Sequence, residues 1–172
     1  MTGPLSALLS GKLPPGLYRL DMSRRSAALC IAVERHGWRC FLIDGAAVYD
    51  KQTFLDEAAR AMRFPPYFGR NWDAFEECIT DLSWAEAPGY VLIYDHASIL
   101  VAQHPEAWNV AYAIMADAVQ TWQNQSRPFY VLLRNAGRIP QTLHCIENGI
   151  ENGIDAKKHP DPADTGMEPG NT

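Results

Sequence analysis

Residues 71–126 contain no lysine or arginine, although the same stretch holds eight aspartates and glutamates. The whole chain has 20 acidic and 15 basic residues in 172, a net charge of −5, so the average conceals this gap. Residues 1–70 have the opposite balance, with ten basic and six acidic residues. A protein that binds nucleic acid or an anionic membrane directly needs a basic surface. The distribution argues against both and favours a cationic partner for the acidic stretch; a merely solvated acidic surface is the alternative.

Signals for membranes, export and metals are also absent. No apolar run reaches the roughly 20 residues that span a bilayer, and the first residues lack the basic start and apolar core of a signal peptide. The four cysteines form no CxxC pair and none stands at metal-ligand spacing with a histidine. We therefore expect a cytoplasmic protein with reduced thiols and neither metal nor cofactor. Cys30 and Cys78 fall on apolar helical faces, which predicts that both are buried.

Three continuous apolar runs, 38–43, 90–95 and 129–133, predict buried strands. Helices are predicted between and around them, from capping residues and apolar stripes at helical spacing. These helices are about 23–37 (capped by Ser23), 51–62 (capped by Asp50), 71–82 (capped by Asn71), 97–104 and 105–124. Residues 1–16 read as a loose lead-in and 16–20 as a possible short strand. The alternation predicts the α/β class, with a small parallel sheet covered by helices.

The predicted helix 71–82 separates apolar from acidic residues by side. Its apolar positions, at i, i+3, i+4 and i+7, are Phe75, Cys78, Ile79 and Leu82. Its polar positions are Asp73, Glu76, Glu77 and Thr80, with Asp81 beside them. Packing of the first set turns the second set toward solvent. Tyr67 and Trp84 flank this helix, where an aromatic side chain beside carboxylates suits an interface; packing against the domain is the alternative for each.

An enzyme is the least supported interpretation. Asp73, Glu76 and Glu77 could be imagined as an acid–base pair of a hydrolase. An exposed cluster on a helix, however, has no apolar pocket that would raise the pKa of one carboxyl group. The chain has no Gly-rich phosphate loop, GxSxG or HExxH motif, and His96 and Ser98 have no third catalytic member. We therefore expect a binding protein and not an enzyme.

The segment Phe54–Trp84 resembles the barstar family of intracellular ribonuclease inhibitors. The family motif is Pro-x-Tyr-aromatic-Gly-x-Asn-x-Asp-Ala, and residues 65–74 read PPYFGRNWDA. The resemblance covers about residues 38–134 and implies a small three-stranded parallel sheet covered by helices. Residues 1–37 then form an N-terminal extension of a short strand plus a helix. Residues 147–172, rich in proline, glycine and charge, read as a disordered tail.

The resemblance also implies a binding site. It places Tyr67, Asp73 and Glu77 in the active site of a nuclease, with Thr80 on the same helix and Trp84 as a further interface residue. The remaining candidates come from the polar side of the predicted helix and are Asn71, Glu76 and Asp81. A ribonuclease active site is lined with cationic groups that bind phosphate, so a carboxylate face can occupy it. The expected partner is a cationic ribonuclease or nuclease-like toxin.

Some positions depart from the family pattern. Glu76 stands where the family has a tryptophan, and Arg70 stands where it has a glutamate. Residues 121–125 carry no carboxylate, whereas the family contributes two there. These departures make the fold a firmer expectation than the partner. An immunity or regulatory module of the same fold, with a partner other than a ribonuclease, is therefore the second hypothesis. Either protein is expected to be monomeric when free.

Overall fold

The fold is a layered α/β structure, obtained as a computed structural model that describes residues 3–147. Within these residues five strands form one sheet in which every pairing is parallel. The strands are β1 (Leu17–Asp21), β2 (Arg39–Asp44), β3 (Tyr90–Asp95), β4 (Phe129–Leu133) and β5 (Cys145–Glu147). Their order across the sheet is β2-β3-β4-β1-β5. The three strands expected for residues 38–134 are present, but the expectation of a three-stranded sheet was wrong.

Strands β1 and β5 account for the difference. β1 pairs with β4, with Leu17 opposite Val131, and β5 then pairs with the other side of β1. Both are short, and charged residues interrupt their apolar pattern, since β1 contains Arg19 and β5 has only three residues. The apolar runs of β3 and β4 are easily recognised in the sequence because those strands are buried on both faces.

Six α-helices surround the sheet within the described residues. They are α1 (Pro4–Leu9), α2 (Ser26–Arg35), α3 (Lys51–Met62), α4 (Trp72–Asp81), α5 (Ser98–Gln103) and α6 (Pro105–Asn124). Short 3-10 helices occupy Gly45–Ala47 and Ser83–Ala85. The predicted start of α3 is confirmed, with Asp50 and Thr53 forming a capping box. The predicted cap Ser23 was wrong, because α2 begins after Arg25, and the predicted loose lead-in contains α1.

The direction of the chain across the sheet decides which face each helix covers. From β1 the chain crosses to the far edge, β2, and then returns through β3 to β4. Right-handed crossovers in opposite directions lie on opposite faces of a sheet. Accordingly α2 packs through Leu29 and Val33 with Val91 and Ile93 of β3, in a smaller core. Helices α3 to α6 pack on the other face, around Leu92, in a larger core.

A disulfide joins Cys30 of α2 to Cys40 of β2, with the two Cα atoms 5.1 Å apart. The expectation of reduced thiols was therefore wrong for this pair, as was the burial of Cys30 as a free thiol. No local motif reveals the pair, because the two residues meet only when α2 folds back over the strand that follows it. Cys78 is a free, buried thiol as predicted, and Cys145 is free and exposed.

Reducing this disulfide should lower the free energy of unfolding by about 3 kcal/mol. The bond joins residues that are 10 positions apart, and the loop it closes restricts the conformations of the unfolded chain. Urea unfolding with and without reductant measures the change. A Cys30→Ser/Cys40→Ser variant is the control, since it should have the reduced stability under both conditions. A wild-type protein whose unfolding midpoint is the same with and without reductant would contradict the prediction.

No helix within residues 3–147 is both long and apolar enough to cross a bilayer. The predicted disordered tail begins at Glu147, which closes β5. Residues 148–172 lie outside the described part of the chain.

Candidate protein-binding face

Helix α4 separates its residues by side as the sequence predicts. Phe75, Cys78 and Ile79 are buried in the larger core or at its margin. The carboxylates on the opposite side are exposed, and they are Asp73, Glu76, Glu77 and Asp81. We call these four residues the acidic face. Helix α4 therefore packs against the domain through its buried apolar side and presents four carboxylates to solvent on the other side.

No basic side chain within residues 3–147 forms a salt bridge with the acidic face. Arg70, the nearest cation in sequence, pairs instead with Asp56 of α3, Nη1 to Oδ1 at 3.1 Å. Asp81 accepts a hydrogen bond from the Ser83 hydroxyl at 3.1 Å, which leaves its charge in place. Within the described part of the chain, therefore, no cation pairs with the acidic face, and Arg70 places no counter-charge on it.

The position of these charges along α4 is not explained by helix stability alone. Asp73 lies in the first turn, where a carboxylate interacts favourably with the helix dipole, but Asp81 lies at the end, where it does not. The last turn contains no basic residue. Burial raises the pKa of the Cys78 thiol, and the charges of Asp81 and Glu77 raise it further. Two carboxylates of the acidic face therefore disfavour the charged form of this buried thiol.

Both ends of α4 are fixed by side chains. At its start, Asn71 caps the helix by accepting a hydrogen bond from the Ala74 N–H at 2.8 Å. Near its end, the buried indole of Trp122 on α6 donates to the carbonyl of Ile79 at 2.9 Å. Thr80 donates its hydroxyl hydrogen bond back to the carbonyl of Glu76 at 2.7 Å. Asn71 therefore has a structural role, which its substitution would remove along with any contact to a partner.

Tyr67 stands on the loop between α3 and α4 with 75% of its surface exposed. The loop beneath it is held by aromatic packing, with the rings of Phe64 and Phe68 4.9 Å apart and Phe64 also against Phe75. The Phe68 N–H donates to the Pro65 carbonyl at 3.0 Å, closing a turn around Tyr67. An exposed tyrosine on a well-packed loop is suited to a pre-organised contact. That Tyr67 contacts a partner stays a prediction.

Trp84 lies differently from Tyr67. It is half-buried, its indole N–H donates to the carbonyl of Met62 at 3.0 Å, and its ring packs edge-on against Phe64. Met62 ends α3, so this bond satisfies a carbonyl that the helix itself cannot pair. The structure thus gives Trp84 a role in joining α3 to the segment after α4. Contact with a partner through the rest of the ring stays a prediction.

Two residues that support the site were not found from the sequence. Asp56, which holds Arg70, and Trp122, which holds α4, are 14 and 43 residues away from their partners. Neither belongs to a local motif, so only the packing of α3 and α6 against the site reveals them. In the sequence, the only indication for Trp122 is the apolar character of α6, which predicts that one side of this helix is buried.

The loop that carries Tyr67 and the whole of α4 lie inside residues 38–134, which match the family model described as Barstar (barnase inhibitor). The chain belongs to this family. The matched region includes β2, β3 and β4 with α3 to α6, whereas β1 and α2 precede it. No curated protein has a sequence that matches this chain.

The barstar-family chain also resembles solved structures of another protein. The ADP form of the Aeropyrum pernix ORC2 protein matches with a TM-score of 0.55 and 14% identity, over 84% of this chain and 45% of that one. The ADPNP–ADP complexes of the same protein match with a TM-score of 0.48 and 12% identity, over 83% and 44%. This chain thus spans less than half of that protein's length. The likeness concerns the fold alone, and it reaches well beyond the family region, in keeping with five strands instead of three.

Proposed function

We propose that this protein is an inhibitor of a ribonuclease and binds by placing the acidic face and Tyr67 over a cationic active site. The observation that carries the proposal is the acidic face itself, in which four exposed carboxylates on one rigid helix have no basic partner within residues 3–147. Membership of the Barstar (barnase inhibitor) family supports the same function. The protein acts by occupying a site, so it needs no catalytic group or cofactor of its own.

Electrostatics explains why such a face suits this partner. A ribonuclease binds the phosphate of RNA and the charge that develops on it with arginine, lysine and histidine side chains. Carboxylates at the phosphate positions form charge-assisted hydrogen bonds with those groups. Because α4 is fixed at both ends, little conformational entropy is lost when the face binds. Attraction between opposite charges also speeds encounter, and salt slows it.

Titration of the purified full chain into a panel of barnase-like ribonucleases tests the proposal. We expect stoichiometric loss of RNA hydrolysis for at least one enzyme, with an association rate that falls steeply as salt is added. Bovine serum albumin at the same concentration controls for non-specific effects on the assay. If RNA hydrolysis by every enzyme of the panel continues unchanged at saturating protein, the proposed function is wrong.

A second candidate is a binding module of the same fold whose partner is another toxin or a regulatory protein. The end of α6 favours it, because residues 121–125 (TWQNQ) offer a ribonuclease no carboxylate. Affinity capture with the immobilised full chain separates the two candidates. Recovery of a ribonuclease would rule out the second candidate, and recovery of a partner without nuclease activity would favour it.

A further inference from the structure

A crevice on the far side of the sheet from α2 is not used by the proposed inhibition. It lies between β1 and residues 134–144, which connect β4 to β5, and has a volume of about 350 Å³. Its walls include Arg19, Asp21, Met22, Asn135, Gly137 and Cys145. We call it the β1 crevice. The volume falls within the range of small-molecule sites, roughly 300–1,000 Å³.

Strand topology explains why a crevice opens here. The chain leaves β1 toward α2 on one face, whereas it leaves the neighbouring strand β4 through residues 134–144, which pack on the other face. In open parallel sheets, ligands bind at the carboxyl ends of strands where the connections diverge in this way. The segment 134–144 that connects β4 to β5 contains no helix, and its Ile139 and Leu143 pack against the larger core.

The end of the crevice is held rigid by a polar cluster. Asp95 accepts hydrogen bonds from the hydroxyl of Ser26 at 2.6 Å and from the side-chain amide of Asn135 at 2.7 Å. Arg134 donates to Ser26 and to the carbonyl of Met22, each at 2.8 Å. These bonds fix the segment after β1 against the segment after β4. Arg134 also lies in the crevice lining, but its Nη1 stands 3.8 Å from Oδ2 of Asp95, so these two charges offset each other.

Arg19 and Asp21 are the charges that remain. Two positions apart on β1, they point to the same face of the sheet, opposite to Tyr18 and Leu20, which lie in the smaller core. They do not pair with each other, because Arg19 donates to the carbonyl of Gly137 at 2.7 Å and no salt bridge within residues 3–147 involves Asp21. The crevice therefore has one positive and one negative wall.

The charges of both Arg19 and Asp21 affect the thiol of Cys145. Partial loss of hydration has the largest effect and raises the pKa of this exposed thiol, the charges of Glu147 and Asp21 raise it further, and Arg19 lowers it. A ligand with only a negative charge would be attracted by Arg19 but repelled by Asp21 and Glu147. A ligand with only a positive charge would be attracted by the two carboxylates but repelled by Arg19. A ligand that carries both charges satisfies both walls at once.

We propose that the β1 crevice binds a small zwitterion of the α-amino-acid class, with the ligand carboxylate on the Arg19 guanidinium and its ammonium group on the Asp21 carboxylate. The guanidinium fork suits a carboxylate, and two charge-assisted contacts of opposite sign select against ligands with a single charge. The site is separate from the acidic face, and it does not depend on the proposed inhibition.

Protection of Cys145 from alkylation tests the proposal in the full chain. Cys145 is exposed, Cys78 is buried, and the other two cysteines form the disulfide, so iodoacetamide should label one site. The probes are single free amino acids at about 10 mM, each compared with the amine and the carboxylic acid that retain only one of its charges. At least one amino acid should slow labelling, and its two singly charged analogues should not.

Variants locate the contact. Arg19→Gln and Asp21→Asn should each weaken the protecting amino acid about tenfold, whereas the exposed control variants Arg39→Gln and Asp117→Asn should leave protection unchanged. If loss of the hydrogen bond to Gly137 unfolds the Arg19→Gln variant, Arg19→Lys replaces it in the experiment. Lysine keeps the positive charge but lacks the planar guanidinium fork. The proposal is overturned if no amino acid protects, if inorganic phosphate or the singly charged analogues protect equally, or if Asp21→Asn binds like wild type.

Discussion

Asp73→Asn and Glu77→Gln should each weaken binding to the inhibited ribonuclease by at least about 30-fold, and the double variant by about 1,000-fold. Each substitution keeps the shape of the side chain and removes its charge. The cognate arginines or lysines of the enzyme would then be buried at the interface without a counter-charge, and this accounts for most of the loss. The dissociation constants from inhibition titrations at one fixed salt concentration measure the effect.

The same substitutions should leave the fold unaffected. Neither Asp73 nor Glu77 forms a salt bridge within residues 3–147, so their loss removes no stabilising ion pair. Asp117→Asn on α6 is the matched control, because it removes an exposed carboxylate outside the acidic face. It should raise the dissociation constant less than twofold, through a small decrease in the association rate. Wild-type affinity in the double variant would place the interface elsewhere on the protein.

Features that depend on neighbouring residues were predictable. The spacing of Phe75, Cys78 and Ile79 fixes the buried side of α4, and the opposite side must then be exposed. Asn71 and Asp50 cap helices through bonds to residues three positions away, so their roles are visible in the sequence. Pro65 and Pro66, which lack backbone donors, similarly favour the loop that the structure has around Tyr67. The buried side of α4 and its start at Asn71 follow from these local signals.

Features that depend on distant residues were not predictable. β1 finds its place only because β4 offers a strand edge more than 100 residues later, and three-residue β5 needs β1 beside it. The Cys30–Cys40 disulfide requires α2 to lie over β2. The same holds for the bond between Arg70 and Asp56, which pairs this cation with α3 and not with the acidic face.

Two tryptophans illustrate how such distant contacts support the site. The last carbonyls of a helix have no partner within it, and neither α3 nor α4 ends with glycine. The indole N–H of Trp84 reaches Met62 in the last turn of α3, and that of Trp122 reaches Ile79 in the last turn of α4. The helices on either side of the Tyr67 loop are therefore both fixed at their ends by aromatic side chains from other elements.

Trp122→Ala should destabilise the protein by about 3–5 kcal/mol, since it leaves a cavity in the larger core, where Trp122 packs against the ring of Tyr90 at 4.9 Å. Trp122→Phe keeps most of the ring but leaves the buried Ile79 carbonyl without its donor, which should destabilise by about 1–3 kcal/mol. Urea unfolding followed by far-UV circular dichroism measures both. Trp84→Phe is the matched control, because it removes the same kind of bond at a half-buried position and should have a smaller effect.

The Trp122→Phe variant should also bind the ribonuclease more weakly, although Trp122 is buried and cannot contact a partner. Without the bond to Ile79 the last turn of α4 frays more readily, and Asp81 lies in that turn. Ordering the turn again on binding consumes part of the interaction free energy, so affinity should fall by about tenfold, mainly through faster dissociation. Asp73, held by the Asn71 cap at the other end, should keep its contribution, so that Asp73→Asn weakens the variant and the wild type by the same factor. A Trp122→Phe protein with wild-type stability and affinity would show that α4 is held by its apolar side alone.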